Sequence, residues 1–573
     1  MRVEQFGNVS FEKALADQSE EDGSKSEFAS YGITLLILLI AFGAFVAAGI
    51  PLLLGLTAVG GTMGLLGPVS HLHALTPDIN AVVMLIGLAV GVDYAMFYLR
   101  REMEERDKGR SPEIALEIAA ATSGRAVLIS GLTVMAAMAG LFFAGNPVFA
   151  SFGVGTMLVV AVAMLGSMTA LPAILSYLGQ KGWTEKGRVP FVAKRRHKSG
   201  GESRFWAAVL KPVLKHPLVS VIVAGGLLGT LSIPALHMEF KDAGIDGYSR
   251  DVAIVQTYDR VNDAFPGGQV QAQAVIEAED VTTPEVRTAI QDLRDKALAS
   301  GELMEPFDVE VSPDKTVAVA SIAVKGSGLD AASEKSLETL REDVVPATIA
   351  KVKGAEVAVT GYTAGSKDFL DVMKRNLPIV FGFVLTLAFV LLLVTFRSLV
   401  VPIKAIILNL LSVGAAYGVL TWVFQDGHGE KALNFESVGG ITSWIPLFLF
   451  VILFGLSMDY HVFVLSRIRE AVDRGMKTDD AVAHGIKSTA GVITSAALVM
   501  VAVFGMFTIQ TDQQMKQIGL GLAVATLIDA KIVRAVLLPA TMKLLGDRNW
   551  WLPKRLNWLP KFEHEPEVVP AGA

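Results

Sequence analysis

Two stretches decide the fold: Gly91-Val-Asp-Tyr-Ala-Met-Phe-Tyr-Leu-Arg-Arg-Glu102 and Ser457-Met-Asp-Tyr-His-Val-Phe-Val-Leu-Ser-Arg-Ile468. At an offset of 366 residues, Asp93 coincides with Asp459, Tyr94 with Tyr460, Phe97 with Phe463, Leu99 with Leu465 and Arg101 with Arg467. The match continues downstream. LISGLTVMAAMAGLF from Leu128 aligns with ITSAALVMVAVFGMF from Ile493 at an offset of 365. Gly153 and Gly155 align with Gly519 and Gly521, and Leu-Pro172-Ala with Leu-Pro539-Ala. The pattern predicts two five-helix units in the same orientation, a parallel repeat of the kind transporters use.

Working outward, the 573 residues are 52% hydrophobic and 18% charged, with a mean hydropathy of +0.49. Soluble domains carry roughly 25% charged residues, so the chain reads as a mostly α polytopic membrane protein with one polar domain. Net charge −6 argues against a nucleic-acid partner. With no cysteine, disulfides, thiol catalysis, zinc ribbons and iron–sulfur clusters are excluded. Runs of about 20 apolar residues cross a bilayer. About eleven are expected, near 31–48, 50–67, 79–99, 126–144, 151–177, 217–236, 378–396, 401–424, 442–465, 490–508 and 517–545.

Lys/Arg placement sets the orientation. Arg100, Arg101, Arg106, Lys108, Arg110 and Arg125 follow the third span. Lys194, Arg195, Arg196 and Lys198 follow the fifth, and Arg467, Arg469, Arg474, Lys477 and Lys487 the ninth. The tail adds Arg548, Lys554 and Arg555, whereas 68–78, 145–150 and 509–515 carry no Lys or Arg. The basic segments are therefore expected in the cytoplasm, with the basic loop near anionic headgroups. Residues 1–30 then fall outside, although they hold seven acidic and three basic residues and no apolar core of a signal peptide.

Between the sixth and seventh spans, alternating runs predict strands at 269–277, 306–311, 316–324 and 355–360, and amphipathic stretches predict helices at 283–299 and 331–350. Thr282, Thr283 and Pro284 open the first helix, and Lys325, Gly326, Ser327 and Gly328 form an exposed turn. The order strand, helix, strand, strand, helix, strand suggests one extracytoplasmic ferredoxin-like α+β domain. Phe265-Pro266-Gly267-Gly268 reads as a turn before its first strand. The expected segments are 1–30; a first membrane repeat, 31–177; a cytoplasmic basic loop, 178–216; a linking span, 217–236; the soluble domain, 237–376; a second membrane repeat, 377–546; and a cytoplasmic tail, 547–573.

Asp93 and Asp459 stand seven or eight residues before a cytoplasmic arginine, roughly 10–12 Å inside the interface at 1.5 Å per residue. An ionised carboxylate at that depth costs at least ~2.5–3.5 kcal/mol. Such acids either pin helix packing or carry protons, and their equivalence in two repeats, each followed by Tyr, favours the proton role. Ser130 and Ser495 align beside them, with Thr494 adjacent, although a span serine also serves helix packing. Asp529, Lys531 and Arg534 have only apolar or small counterparts in the first repeat. They neutralise each other or supply a counter-charge to the acid pair. His71, His73, His428 and His461 show no metal spacing, and no phosphate-binding loop occurs, so no cofactor, metal or catalytic residue is expected.

The paired Asp-Tyr spans, the SGRAVLISGLTV stretch from Ser123 and LIDAKIVRAVLLPA from Leu527 resemble the mycobacterial large membrane protein family of the resistance–nodulation–division superfamily. The resemblance runs from about residue 31 and implies twelve spans, two extracytoplasmic porter domains and proton-driven export of lipids, glycolipids or other hydrophobic molecules from a bacterial inner membrane. By motif match, Asp93, Tyr94, Asp459 and Tyr460 would be the proton relay, with Ser130 and Ser495 beside them. Against that pattern, the first span and nearly all of the first porter domain are expected to be missing. Residues 1–30 then read as the remnant of that domain, and a separate polypeptide would supply the rest. Membrane lipids, protons and a second copy of the chain complete the expected partners. The alternatives are a non-transporting sterol-sensing-like regulator or scaffold, and an accessory motor for protein secretion.

Overall fold

The computed structural model describes residues 4–76, 79–180, 204–241, 244–264 and 270–560. Lys194, Arg195, Arg196, Lys198 and the Phe265–Gly268 turn lie outside them. The chain folds as two compact units. One comprises Met1–Gln18, Phe240–Arg375 and Asn434–Ser443; the other comprises Ser19–Glu239, Asn376–Leu433 and Trp444–Ala573. The segment 434–443, expected within the second membrane repeat, thus belongs by its contacts to the first unit, the one that carries the sheet.

The chain opens with α1 (Asn8–Phe42), which counts with the helical unit from Ser19 on, and α2 (Phe45–Ser70). The break falls at Gly43 and Ala44, not near residue 49 as the apolar runs suggested. Gly43 takes a φ of +71°, open to glycine at no steric cost, and Ala44 is extended at the N-cap. Pro51 sits inside α2 instead of starting it. Then follow α3 (Ile79–Asp107), α4 (Pro112–Ala119), a π-helix at Ala120–Gly124, α5 (Arg125–Met138), α6 (Pro147–Met168), α7 (Ala170–Gln180), α8 (Arg204–Lys215) and α9 (Pro217–Ser232).

Among the described residues, ten helices are long and apolar enough to cross a membrane. The expected eleventh, 517–545, is helical in three pieces whose middle carries Asp529, Lys531 and Arg534. Later in the chain come α13 (Tyr362–Phe396), which counts with the sheet-bearing unit up to Arg375, α14 (Val400–Leu420), α15 (Ile445–Asp473), α16 (Thr478–Gly505), α17 (Gln513–Ile528), a π-helix at Asp529–Leu537 and α18 (Leu538–Leu545). Two pairs of lengths agree. α3 and α15 each have 29 residues, offset by 366 at both ends, and α1 and α13 each have 35, offset by 354. These last two are tied at matching positions. Asp22 of α1 accepts from the Thr511 backbone N–H at 2.7 Å, just beyond α16, and Asn376 of α13 donates to the Ala144 carbonyl at 3.0 Å, just beyond α5.

The sheet-bearing unit holds α10 (Ala253–Ala264), a helix without a clear sequence signal, whose Tyr258 ring lies 5.1 Å from that of Phe6. Its sheet contains β1 (Gln271–Glu277), β2 (Leu303–Val311), β3 (Val317–Val324) and β4 (Glu356–Gly361) in the order β2-β3-β1-β4, with every neighbour antiparallel. Alternate residues Ala272, Ala274 and Ile276 of β1 are buried, as period-two patterning requires. They pack with Leu293 of α11 (Pro284–Ala299) and with Leu340 beyond α12 (Ala331–Glu338). Thr283 takes the N-cap of α11 and Pro284 its first turn, but the Thr283 side chain caps nothing. Asp330, in contrast, caps α12 by accepting from the Ser333 N–H at 2.8 Å. In the turn before it, Gly326 and Ser327 are exposed while Gly328 is buried, a correction to the fully exposed turn expected.

Candidate proton-handling site

The α3 and α15 helices present their acids to each other's tyrosines. Asp93, Tyr94 and Tyr460 are buried and Asp459 is partly so. The Tyr460 hydroxyl donates to Asp93. Asp459 lies against the hydroxyls of Tyr94 and Ser130, and Ser130 Oγ donates to the Tyr94 hydroxyl oxygen at 3.4 Å. Each tyrosine therefore serves the carboxylate of the other repeat position, not its own neighbour. One turn on, Phe97 and Phe463 meet with ring centroids 4.9 Å apart, and Phe97 lies edge-on to Tyr460 at 5.6 Å. The two phenylalanines that the 366 offset pairs thus touch each other.

The two serines differ. Ser130 joins the acid cluster, whereas Ser495 donates to its own helix at the Gly491 carbonyl (3.0 Å) and receives Arg100 Nη1 at 3.4 Å. Span serines often bond back to the preceding turn in this way. Sequence equivalence placed Ser495 in the relay; its contacts place it with Arg100.

Arg534 has several partners. It pairs with Asp529, and its guanidinium also stands 4.3 Å from the Tyr460 ring centroid, donates to the Ser457 carbonyl at 3.2 Å and interacts electrostatically with Asp93 and Asp459. The π-helix makes this possible. Residues five apart sit well off one face in an α-helix of 3.6 residues per turn, but a helix bonded i→i+5 brings them close to alignment. Lys531, on another face, lies 5.1 Å from the Trp206 ring. Three carboxyls thus surround one guanidinium.

His461 is buried, with Nδ1 3.3 Å from the Ser457 carbonyl. His428 Nδ1 lies 3.0 Å from the Trp422 carbonyl and its ring stacks on Trp422. Among the described residues no group of three His, Cys, Asp or Glu could hold a metal ion. Sequence reasoning missed Lys404 and Asn409, both buried within α14. Lys404 Nζ donates to Asn549 Oδ1 at 3.1 Å, and Asn409 Oδ1 accepts from Ser457 Oγ at 2.6 Å. A signal was present, since an ionisable residue and an amide inside an apolar run are costly and mark polar partners.

A profile of the MMPL family matches residues 2–220 and 248–562. The chain belongs to that family. An MMPL chain with ten such helices is a multi-pass protein of the bacterial cell membrane, of the resistance–nodulation–division type. It is 35% identical over 561 residues to the mycolic acid-containing lipids exporter MmpL11 of Mycolicibacterium smegmatis, covering 97% of this chain and 58% of that one. Against the heme uptake protein MmpL11 of Mycobacterium tuberculosis (H37Rv) the identity is 34%, covering 99% and 58%. Against the trehalose monomycolate exporter MmpL3 of the same strain it is 30%, covering 95% and 60%. The MMPL chain thus spans about three fifths of the length of these relatives. Among solved structures, SecDF, a translocon-associated membrane protein from Thermus thermophilus, superposes with a TM-score of 0.56 over 91% of this chain and 62% of that one, at 15% identity, a likeness of fold.

Proposed function

We propose that this MMPL chain is a proton-motive-force-driven transporter that exports lipids, glycolipids or other hydrophobic molecules. The observation that carries the reading is the exchange of partners at the centre of the helices, Tyr460 on Asp93 and Tyr94 with Ser130 on Asp459. Two acids so linked titrate as a unit, and their proton occupancy can bias two conformations. A membrane potential near 200 mV would supply about 4.6 kcal/mol per proton, at ~2.3 per 100 mV. That suffices for a gradient of about a thousandfold. The exporter names of two relatives support a lipid cargo; the heme-uptake name of a third makes cargo and direction the first things to measure.

The same reading takes the helices as two parallel five-helix repeats, with Asp529 and Arg534 as counter-charge. The matched lengths and offsets of α3 and α15, and of α1 and α13, support it. The sheet-bearing unit is read as an extracytoplasmic ferredoxin-like porter domain, supported by its strand order and antiparallel pairing. Asp459→Asn and Asp93→Asn keep size and hydrogen bonding but remove titration. Each is expected to abolish proton-dependent movement of a mycolyl lipid in vesicles while leaving folded protein in the membrane. Wild-type transport by either protein would remove the relay and leave the scaffold reading ahead.

A further inference from the structure

We propose that the second half alone holds a hydrated access path to the acid pair, a site for water and the protons it carries; this rests on the proton-coupled reading above. A cavity of about 20 Å³, room for a water molecule, lies among α14, α15, α16 and the helix that runs through Asp529. Its polar lining includes Asn409, Ser412, Ser457, Tyr460, Asp529 and Arg534. Three of these side chains aim atoms at nothing in the protein. Asn409 Nδ2, Asp529 Oδ1 and Arg534 Nε have no hydrogen-bond partner among the described residues, although the residues are only 1%, 7% and 4% exposed. Buried donors and acceptors are almost always satisfied, and a polar space of this kind is satisfied by water. Tyr460 lines the cavity and also donates to Asp93. The route therefore runs from water to the tyrosine hydroxyl and on to the carboxylate.

The first half closes the same place. Gly91 precedes Asp93 as Ser457 precedes Asp459, and the 354 offset of α1 and α13 carries Gly55 to Asn409. A Cβ on Gly91 would stand 2.8 Å from the Gly55 Cα, so the α2 and α3 backbones touch there. In the second half the glycine pair becomes an Asn–Ser pair bonded at 2.6 Å, which holds the helices apart. The charged residues have no first-half counterparts either. Ala163 stands for Asp529, and Ser167 stands for Arg534 with its hydroxyl bonded to its own helix at 2.9 Å.

The chain's lack of cysteine makes the test clean. Silver ion is small, hydrated and thiol-specific. Ser412→Cys places a thiol in the cavity and Ala58→Cys places one at the mirror position. In membrane vesicles, with the surviving thiols counted by fluorescent maleimide after denaturation, silver should consume the first at least tenfold faster than the second. Adding Asn409→Leu should bring the Ser412→Cys rate down to that of Ala58→Cys. Equal rates for the two single variants, or a rate indifferent to Asn409→Leu, would overturn the proposal. The readout needs no transport, so it separates from the parent reading: inert silver chemistry with a dead Asp93→Asn protein sinks only the path. An active Asp93→Asn protein with fast silver chemistry leaves a wet cavity that is not a proton route, and overturns the proposal with its parent.

Discussion

Where α2 crosses α3, Gly55 lies against Gly91; where α14 crosses α15, Asn409 is bonded to Ser457. The first crossing buries backbone on backbone, and the second spends the same place on a polar pair and a cavity. The helices that follow differ in the same sense, through single residues. The offset between halves is 366 at Pro112 and Thr478, 365 at Leu128 and Ile493, 366 again at Gly155 and Gly521, and 367 at Pro172 and Pro539. Between the first two points the first half has one residue more, and there lies its π-helix, Ala120–Gly124. Between the last two the second half has one more, and there lies Asp529–Leu537. A π turn takes up one extra residue without breaking the helix. The comparison teaches that a one-residue insertion, not a new element, separates a plain span from one that pairs Asp529 with Arg534.

The largest expected effect tests that pair. Arg534→Leu leaves Asp529 buried without its partner, a loss of about 3–5 kcal/mol. The detergent-solubilised protein should melt far below wild type, while Ser167→Leu at the mirror position should cost much less. Similar melting of the two variants would erase the distinction. Next comes the crossing. Gly91→Ser imports the second half's residue into the first, where its Cβ meets backbone, and should cost about 1–3 kcal/mol by overpacking. The reverse change, Ser457→Gly, should fall at the low end of that range or below. A thermal shift assay on both reads the sign. The smallest effect separates the tyrosines. Tyr460→Phe loses a direct donor to the Asp93 carboxylate, worth about 1.5–3 kcal/mol when that group is charged, and Tyr94→Phe loses a hydroxyl that lies against Asp459 while accepting from Ser130 at 3.4 Å, a weaker contact of about 0.5–1.5 kcal/mol. Proton-driven transport rates should therefore fall further for Tyr460→Phe, and an inverted order would show that the two acids are not used as their contacts suggest.

Much of this was legible beforehand. Apolar runs located the spans, the Asp-Tyr motifs gave the 366 offset, and alternation placed all four strands to within three residues at each end. What could not be read was which partner each group takes. Sequence equivalence says that Tyr94 and Tyr460 play matching parts, but only packing shows that each crosses to the other's aspartate. The same limit hid Arg100 as the partner of Ser495, since that contact crosses between helices. The helix break near residue 43 was missed because Pro51 is the louder local signal, while a left-handed glycine leaves no mark in hydropathy. Asn409 and Lys404 were hidden by the run of leucines and isoleucines around them, which averages their polarity away.

The clasp between Asp22 and Thr511 joins residues 489 positions apart, and that separation has a consequence for biosynthesis. At about 5–20 residues per second, a ribosome needs roughly 25–100 s to reach Thr511 after making Asp22. Throughout that interval α1, with Ser26, Ser30 and Thr34 that are interior in the finished protein, is without its clasp. The growing chain thus passes through a long stage in which α1 is open to capture by a membrane chaperone or protease.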